Sequence, residues 1–495
     1  MAVAPRQASG VADRRVVVAS HRGPVEFAVE ADGPVPRRGA GGLVTALTQL
    51  RKEVSDGAWV CAAISEGDRA VVAEADACPV LEDDSGWRVR MLDIDPSVHA
   101  RFYSMIANPL LWFIQHGLWS LSDAPDIGHD EYEAWEEGYV PVNARFAEAV
   151  SAEAGESEPA LVMVHDYHLY LVPALVRAAR PESLITFFCH IPWPNPEAWR
   201  VLPAAWREAI FAGLLGADVV GFQTERSARN FVDGCEQVLG ARVDRHSLEV
   251  EYGGRNVVSR WYPISVDVPH FEALAASDAV LAKERELQAG RREKLIVRVD
   301  RTDLSKNILR GFRAYDVVLE RRPDLRERVT FLALLQPSRQ DVREYAEYLD
   351  AIRRTVADLN LKHGTPDWQP VDLRLVDDIE LAVAAYKQYD VLVVNAIADG
   401  MNLVAKEAVV VNTCDGVLLL SEGAGAEVEL GHFAISVNPF DIEQQAVALW
   451  DALTMDEEER RARREACAAV VHRNDLRRWL HAQLADVVTV RGGEA

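Results

Sequence analysis

Residues Asp390–Val411 read DVLVVNAIADGMNLVAKEAVVV. The first part, 390–397, is an almost unbroken apolar run rich in β-branched residues, the pattern of a strand covered on both faces of a parallel sheet. Asp399-Gly400 interrupts the run, and apolar residues return from 402 to 411 at helical spacing. Strand, tight turn and helix in that order form the repeating unit of a doubly wound α/β fold. Gly400 lets the backbone approach a ligand closely. The amides around Asn402 and Leu403 carry the positive end of the helix dipole and suit a diphosphate. Glu407, one turn further in, can accept hydrogen bonds from the two hydroxyls of a ribose. The same residues also fit a capped core helix with a surface Lys406–Glu407 pair, and the stretch alone leaves both readings open.

Working outward, the pattern repeats. Strands are predicted at 15–20, 58–64, 160–164, 184–189, 218–223, 294–299, 329–336, 371–376, 390–397, 416–421 and 433–437. Helices are predicted at 43–53, 202–213, 225–238, 306–321, 340–362, 379–389, 402–411, 441–454, 457–472 and 475–490. Two strand–helix series lie on either side of WYPISVDVP at 261–269, where proline and the loss of helical pattern mark a linker. The expected domains are 1–264 and 265–474, with a C-terminal helix in 475–495 packing back on the first.

Composition sets bounds on function. A chain of 495 residues can build two cores, and 49% hydrophobic with 26% charged residues is ordinary for a globular protein. A net charge of −24 disfavours nucleic acid and anionic membranes as partners, while leaving room for a local basic pocket for a phosphorylated small molecule. Cys61, Cys78, Cys189, Cys235, Cys414 and Cys467 show no CxxC spacing, which argues against a zinc site or disulfide framework and fits a reducing compartment. The start, MAVAPRQASGVADRR, lacks the apolar segment of a signal peptide, and no run reaches the roughly 18 apolar residues of a membrane helix. The expected location is cytoplasmic.

Polar clusters follow six of the strands: His21-Arg22-Gly23-Pro24, His165-Asp166-Tyr167-His168, His190 to Pro194, Asp300 to Asp303 with Lys306, Pro337-Ser338-Arg339, and Asp399-Gly400. In open α/β sheets the carboxyl edge is the ligand crevice. Two sheets with those edges facing across a cleft would gather all six clusters. Arg301 and Lys306 are a pair of fixed cations able to balance charge on a diphosphate leaving group. Gly39-Ala40-Gly41-Gly42 is a glycine-rich turn before a helix, but it matches neither GxGxxG nor GxxxxGK[ST]. His165 and His168 lack the third ligand of a zinc motif, and Asp93-Ile94-Asp95, followed by Pro96, reads as a surface turn. The aromatic run Tyr103 to Trp112 can offer a sugar flat apolar faces with polar handles, or can be ordinary core.

As an ordered set, the Arg22 region, AGGL at 40–43, Tyr103 with Trp112, HDYHL at 165–169, HIPWP at 190–194, the Arg301…Lys306 spacing, PSRQDV at 337–342 and DGMNLVAKE at 399–407 resemble the trehalose-6-phosphate synthases. These are retaining glycosyltransferases of the two-Rossmann GT-B architecture, and the resemblance spans roughly 15–455. It implies an α/β fold of two Rossmann-like parallel-sheet domains and a nucleotide-glucose donor, UDP- or GDP-glucose. It further implies glucose 6-phosphate as acceptor, α,α-trehalose 6-phosphate as product, and no cofactor or metal. Arg301 and Lys306 would hold the donor diphosphate with Gly42 and the backbone of Gly400, Met401, Asn402 and Leu403. Glu407 would hold the ribose, and His190 and Asp399 the donor glucose. Arg22, Tyr103, Trp112 and Arg339 would hold glucose 6-phosphate, and Asp166 the sugar hydroxyls at the reacting centre. A homo-oligomer is compatible with all of this.

Two departures stand out. RTDLSKN at 301–307 differs from the family's RLDYSKG at Thr302, Leu304 and Asn307. VDDIELA at 376–382 places Asp377, Asp378 and Ile379 where the family contacts the nucleobase, and a carboxylate there can accept from guanine N1–H and its amino group. Two rival readings remain: a related transferase with another acceptor or an aminocyclitol, such as a glucosylglycerol-phosphate synthase, and a catalytically silent sugar-phosphate-binding regulator.

Overall fold

The computed structural model describes residues 14–492 except 31–32, 40–41, 52–53, 55, 75–79, 83–85, 156–158 and 341. The chain divides into two compact units, Met1–Tyr262 with Arg477–Ala495, and Pro263–Leu476. Among the described residues no helix is long and apolar enough to cross a membrane.

The second unit holds a six-stranded, all-parallel sheet in the order Val371–Leu375, Val329–Gln336, Lys294–Arg301, Val391–Val394, Val417–Ser421, Ile435–Val437. Numbered along the chain, that order is 3-2-1-4-5-6, the dinucleotide-binding arrangement with its switch point between strands 1 and 4. Val391, Leu392, Val393 and Val394 are all buried, as a strand with helices on both faces requires. Ile308, Phe312, Tyr315 and Val318 on one helix pack with Phe331, Leu335, Ile352 and Leu449 to form the core on one side.

The first unit holds a ten-stranded sheet. Its parallel centre runs Arg88–Leu92, Asp56–Ala62, Arg15–Ala19, Leu161–His165, Leu184–Phe188, Val219–Phe222, again 3-2-1-4-5-6 along the chain. Arg255–Trp261 adds a further parallel strand, and antiparallel strands Glu249–Tyr252, Arg242–Asp244 and, at the other edge, Val80–Glu82 complete it. A separate hairpin pairs Val25–Glu30 with Gly33–Arg38. Asp68 anchors it by accepting from the Phe27 amide (2.7 Å), and the same carboxylate also takes the amides of Ile64 and Ser65. The C-terminal helix, Leu476–Gly492, packs Trp479 against Phe188 (5.4 Å), and its Asp486 accepts from the Tyr262 hydroxyl (2.8 Å).

Elements without a simple hydrophobic period were not anticipated from the sequence. The aromatic run lies in a π-helix, Arg101–Trp112, with Pro109 inside it. Wider π turns and an internal proline blur a 3.6-residue pattern. Asp95 caps the preceding short helix by accepting from the Ser97 and Val98 amides, so the Asp93–Asp95 segment is a surface turn.

Candidate functional site

At the switch point of the second sheet, strand Lys294–Arg301 ends in Arg301, which is half-buried, and a short 3-10 turn, Leu304–Lys306, follows. Lys306 Nζ pairs with Asp399 Oδ2, which belongs to the loop after the adjacent strand. The Ile397 amide donates to the Ser305 carbonyl (2.8 Å), tying the two loops together. Burial works against the Lys306 charge, but Asp399 and Asp300 outweigh it and hold the ammonium above its ordinary range. Beneath them lies Arg298, fully buried. It donates to Asp300 (2.8 Å), to the Lys306 carbonyl (2.7 Å) and to the Asn395 side chain. Burial pushes the Asp300 carboxyl up, with Arg298 and Lys306 pulling the other way. Arg298 was missed by sequence reasoning, although a lone arginine inside the apolar run KLIVRV is a visible signal.

Helix Leu403–Val411 begins beside this pair. Asn402 caps it in the left-handed region (φ 73°), accepting from the Ala405 amide (3.4 Å) and donating to Asp399 Oδ2 (3.1 Å). Met401 is buried, and its carbonyl accepts from the Ala426 amide (2.8 Å). The loop 421–427, SEGAGAE, lies so close to Gly400 that a Cβ on Gly425 would sit 1.9 Å from the Gly400 carbonyl oxygen. Glu407 accepts from the Tyr386 hydroxyl (3.3 Å), and burial pushes its carboxyl up to about 7. The surface Lys406–Glu407 reading fails here: Lys406 is buried and pairs with Glu429.

The remaining second-unit residues fall nearby. Arg339, in the left-handed region (φ 48°), donates to the Tyr345 hydroxyl (2.5 Å) and to buried Asp303 (3.3 Å). Asn307 also adopts the left-handed region (φ 57°), and its side chain donates to the carbonyls of Asn395 (2.9 Å) and Pro439 (2.7 Å). This explains the departure from glycine, since asparagine is among the few side chains that tolerate that backbone. Thr302, also a departure, is buried and accepts from the Ser338 amide (3.1 Å). Asp377 is exposed and accepts from the Gln336 side chain (2.6 Å). Asp378 has both oxygens engaged, one by the Leu381 amide (2.8 Å) and one by Lys283 (3.2 Å), while Ile379 is exposed.

At the switch point of the first sheet the character changes. His21 follows strand Arg15–Ala19 and stacks on Tyr103 (4.9 Å), His168 (4.7 Å) and His99 (5.3 Å), with His21 Nε2 3.1 Å from His99 Nε2. Arg22, next in the chain, is exposed. Trp112 is buried and stacks on His116 (4.0 Å). Asp166 has φ 73° and ψ 167°, a backbone rare for anything but glycine, and its carboxylate accepts from the His190 amide (3.1 Å). His190 Nε2 lies 3.2 Å from His165 Nδ1. Burial, with His165 beside it, holds His190 well below the ordinary histidine range, and burial pushes His165 down to about 3. Both imidazoles are therefore neutral at neutral pH. Gly39 donates to the Pro24 carbonyl (2.7 Å), Ala40 and Gly41 lie outside the described residues, and Gly42 is the first residue of helix Gly42–Arg51. The histidine cluster around His21 was not anticipated as a unit, because its members lie at sequence positions 21, 99 and 168.

Two Rossmann-like sheets, one with a lysine–carboxylate pair and a helix amino end at its switch point, define the GT-B class of glycosyltransferase. The model of glycosyltransferase family 20 matches residues 14–489. The trehalose-6-phosphate synthase of Mycolicibacterium vanbaalenii is 36% identical over 497 residues, covering 97% of this chain and 96% of that one. Among solved structures, the E. coli protein bound with UDP-2-fluoro glucose is 27% identical with a TM-score of 0.82, covering 96% of this chain and 98% of that one. The UDP-forming α,α-trehalose-phosphate synthase of Burkholderia xenovorans in complex with glucose-6-phosphate is 28% identical with a TM-score of 0.81, covering 96% and 99%. The chain belongs to glycosyltransferase family 20, the trehalose-6-phosphate synthase family.

Proposed function

We propose that this protein moves glucose from a nucleotide-glucose to glucose 6-phosphate with retention of anomeric configuration, giving α,α-trehalose 6-phosphate and a nucleoside diphosphate. Residues 1–264 supply most of the acceptor contacts and 265–474 most of the nucleotide-sugar contacts. The observation that carries the reading is the Lys306–Asp399 pair at the second switch point, beside the amino end of Leu403–Val411. A diphosphate accumulates negative charge as it departs, and fixed cations plus free amides stabilise that charge without reorganising. Lys306, held charged by its carboxylate neighbours, meets that demand across the working pH range. Arg301, Gly42 and the backbone of 400–403 complete the diphosphate site, and Glu407 takes the ribose.

In this reading glucose 6-phosphate is held by Arg22, Tyr103, Trp112 and Arg339. A guanidinium carries five donors, so the pairing of Arg339 through Nη1 is compatible with phosphate binding. The acceptor hydroxyl attacks the face that the diphosphate leaves. The bond from the anomeric carbon to phosphate oxygen breaks, the new glycosidic bond forms on the same face, and the hydroxyl proton passes to the departing oxygen. Asp166 and neutral His190 orient sugar hydroxyls; no strong base is needed, because positioning and charge balance carry the step. The reading includes a cytoplasmic location, supported by the free state of the five described cysteines.

Asp377 favours guanine as the base. Guanine offers a carboxylate two adjacent N–H donors, whereas uracil offers one N–H flanked by two carbonyls. Asp377 is exposed with only one oxygen engaged, by Gln336, whereas Asp378 caps a helix and pairs with Lys283, so Asp377 is the reader of the base.

The test is diphosphate release by purified protein with glucose 6-phosphate and UDP-, GDP- or ADP-glucose, with the product's anomeric configuration read by NMR. Release from at least one donor with an α,α-linked product is expected. No turnover with any donor favours the silent regulator, and turnover that glucose 6-phosphate neither supports nor inhibits favours another acceptor. Activity with UDP-glucose equal to or above that with GDP-glucose overturns the guanine assignment alone.

A further inference from the structure

Lys406 is the charged residue of the 399–407 stretch that the proposed chemistry does not use. Its Nζ donates to the Ile264 carbonyl (2.8 Å) and to Glu429 Oε2 (2.5 Å), and its side chain is 1% exposed. The other Glu429 oxygen accepts from the Asn474 side chain (2.7 Å), and the Leu476 amide donates to the Val266 carbonyl (3.3 Å). Ile264 and Val266 come just after the chain enters the second unit at Pro263, and Asn474 and Leu476 come just before it leaves at Leu476. One ammonium in the middle of helix Leu403–Val411 is therefore bonded to the entering segment directly and to the leaving segment through Glu429. An apolar side chain at 406 would fill space but could satisfy neither the Ile264 carbonyl nor Glu429.

We propose that Lys406 is a positioning residue that couples occupancy of the diphosphate site, at the amino end of its helix, to the two segments by which the chain enters and leaves the nucleotide unit. The inference rests on the diphosphate assignment made under the proposed function. The helix is nine residues long, and a continuous helix of that length is a rigid element, so a ligand that fixes its first turn also constrains the place of Lys406, one turn further on. Ile264, Val266, Asn474 and Leu476 then lose freedom when the site fills.

Hydrogen exchange followed by mass spectrometry on the full chain, with and without UDP or GDP, tests this. Bound diphosphate is expected to slow exchange in 263–266 and 474–476 by about tenfold. The Lys406→Met/Glu429→Leu double variant removes both charges, so none is left buried and unpaired. It is expected to bind the diphosphate and keep its donor KM, yet to lose the slowing and about tenfold in kcat. If the double variant keeps both the slowing and kcat, the pair is purely structural and the proposal falls. Wild-type protein that binds UDP or GDP without slowed exchange in those segments also overturns it, and this arm decides alone should the variant fail to fold. Binding of neither nucleotide strikes the diphosphate assignment instead.

Discussion

The two sheets share a strand order, and their switch points could hardly differ more in chemistry. In the second unit the crevice is built of paired charges, Lys306 with Asp399 and, beneath them, Arg298 with Asp300. In the first it is built of rings, with His21, His99, His168 and Tyr103 stacked and His165 and His190 held neutral by burial. The same topology supplies a place where loops meet, and the residues in those loops decide what that place does. Under the proposed function, the charged crevice faces a leaving group that develops charge, and the neutral rings face the hydroxyls of a sugar. Arg22 is the exception in the first unit, and the proposed acceptor phosphate demands it.

The largest expected effect breaks the charged side. Lys306→Gln should lower kcat/KM by a factor on the order of 10²–10³, since it removes a cation aimed at developing charge; steady-state kinetics with saturating glucose 6-phosphate checks it. Arg22→Gln should raise the KM for glucose 6-phosphate by roughly 10- to 100-fold, the range for one hydrogen bond to a charged group, with donor KM unchanged. A change in donor KM instead would blur the division between the two units.

Glu407 sharpens the comparison by pH. Its folded-state pKa, raised to about 7, leaves it protonated below that value and a two-oxygen acceptor above it. Donor KM should therefore fall as pH rises from 6 to 8, and Glu407→Gln should flatten that dependence. The same shift means the folded protein binds a proton that the unfolded chain releases between the ordinary carboxylate range and about 7. This group's contribution to stability therefore declines as pH rises through that window. His190→Gln, by contrast, replaces an already neutral ring and should lower activity without changing the shape of the pH profile. The smallest effect is expected at Asn307→Gly. Glycine relieves the left-handed backbone by about 1 kcal/mol, but three side-chain bonds of about 1 kcal/mol each are lost, so a net destabilisation of about 2 kcal/mol should appear in denaturant melts.

Much of the fold was legible because parallel strands buried on both faces leave continuous apolar runs. Strand Val329–Gln336 and the helix beginning at Ile379 fall where the pattern placed them. Strand Arg88–Leu92 was missed because its arginines interrupt the run, and the helices of 96–154 because π turns, Pro109, Gly138 and Pro141 disturb the period. The candidate residues were legible as types after strand ends. Their partnerships were not: Arg339 turned to Asp303, and Asp378 to Lys283.

What the sequence determined by itself was the order of strands and helices and the chemical character of each loop, because periodicity and turn residues act over a few neighbours. What only tertiary structure decided was which charges meet. Lys306 and Asp399 are 93 residues apart and become partners because strand order sets their loops side by side. Adjacent Lys406 and Glu407 part company, one to Glu429 and the other to Tyr386, because consecutive residues on a helix point about 100° apart into different surroundings.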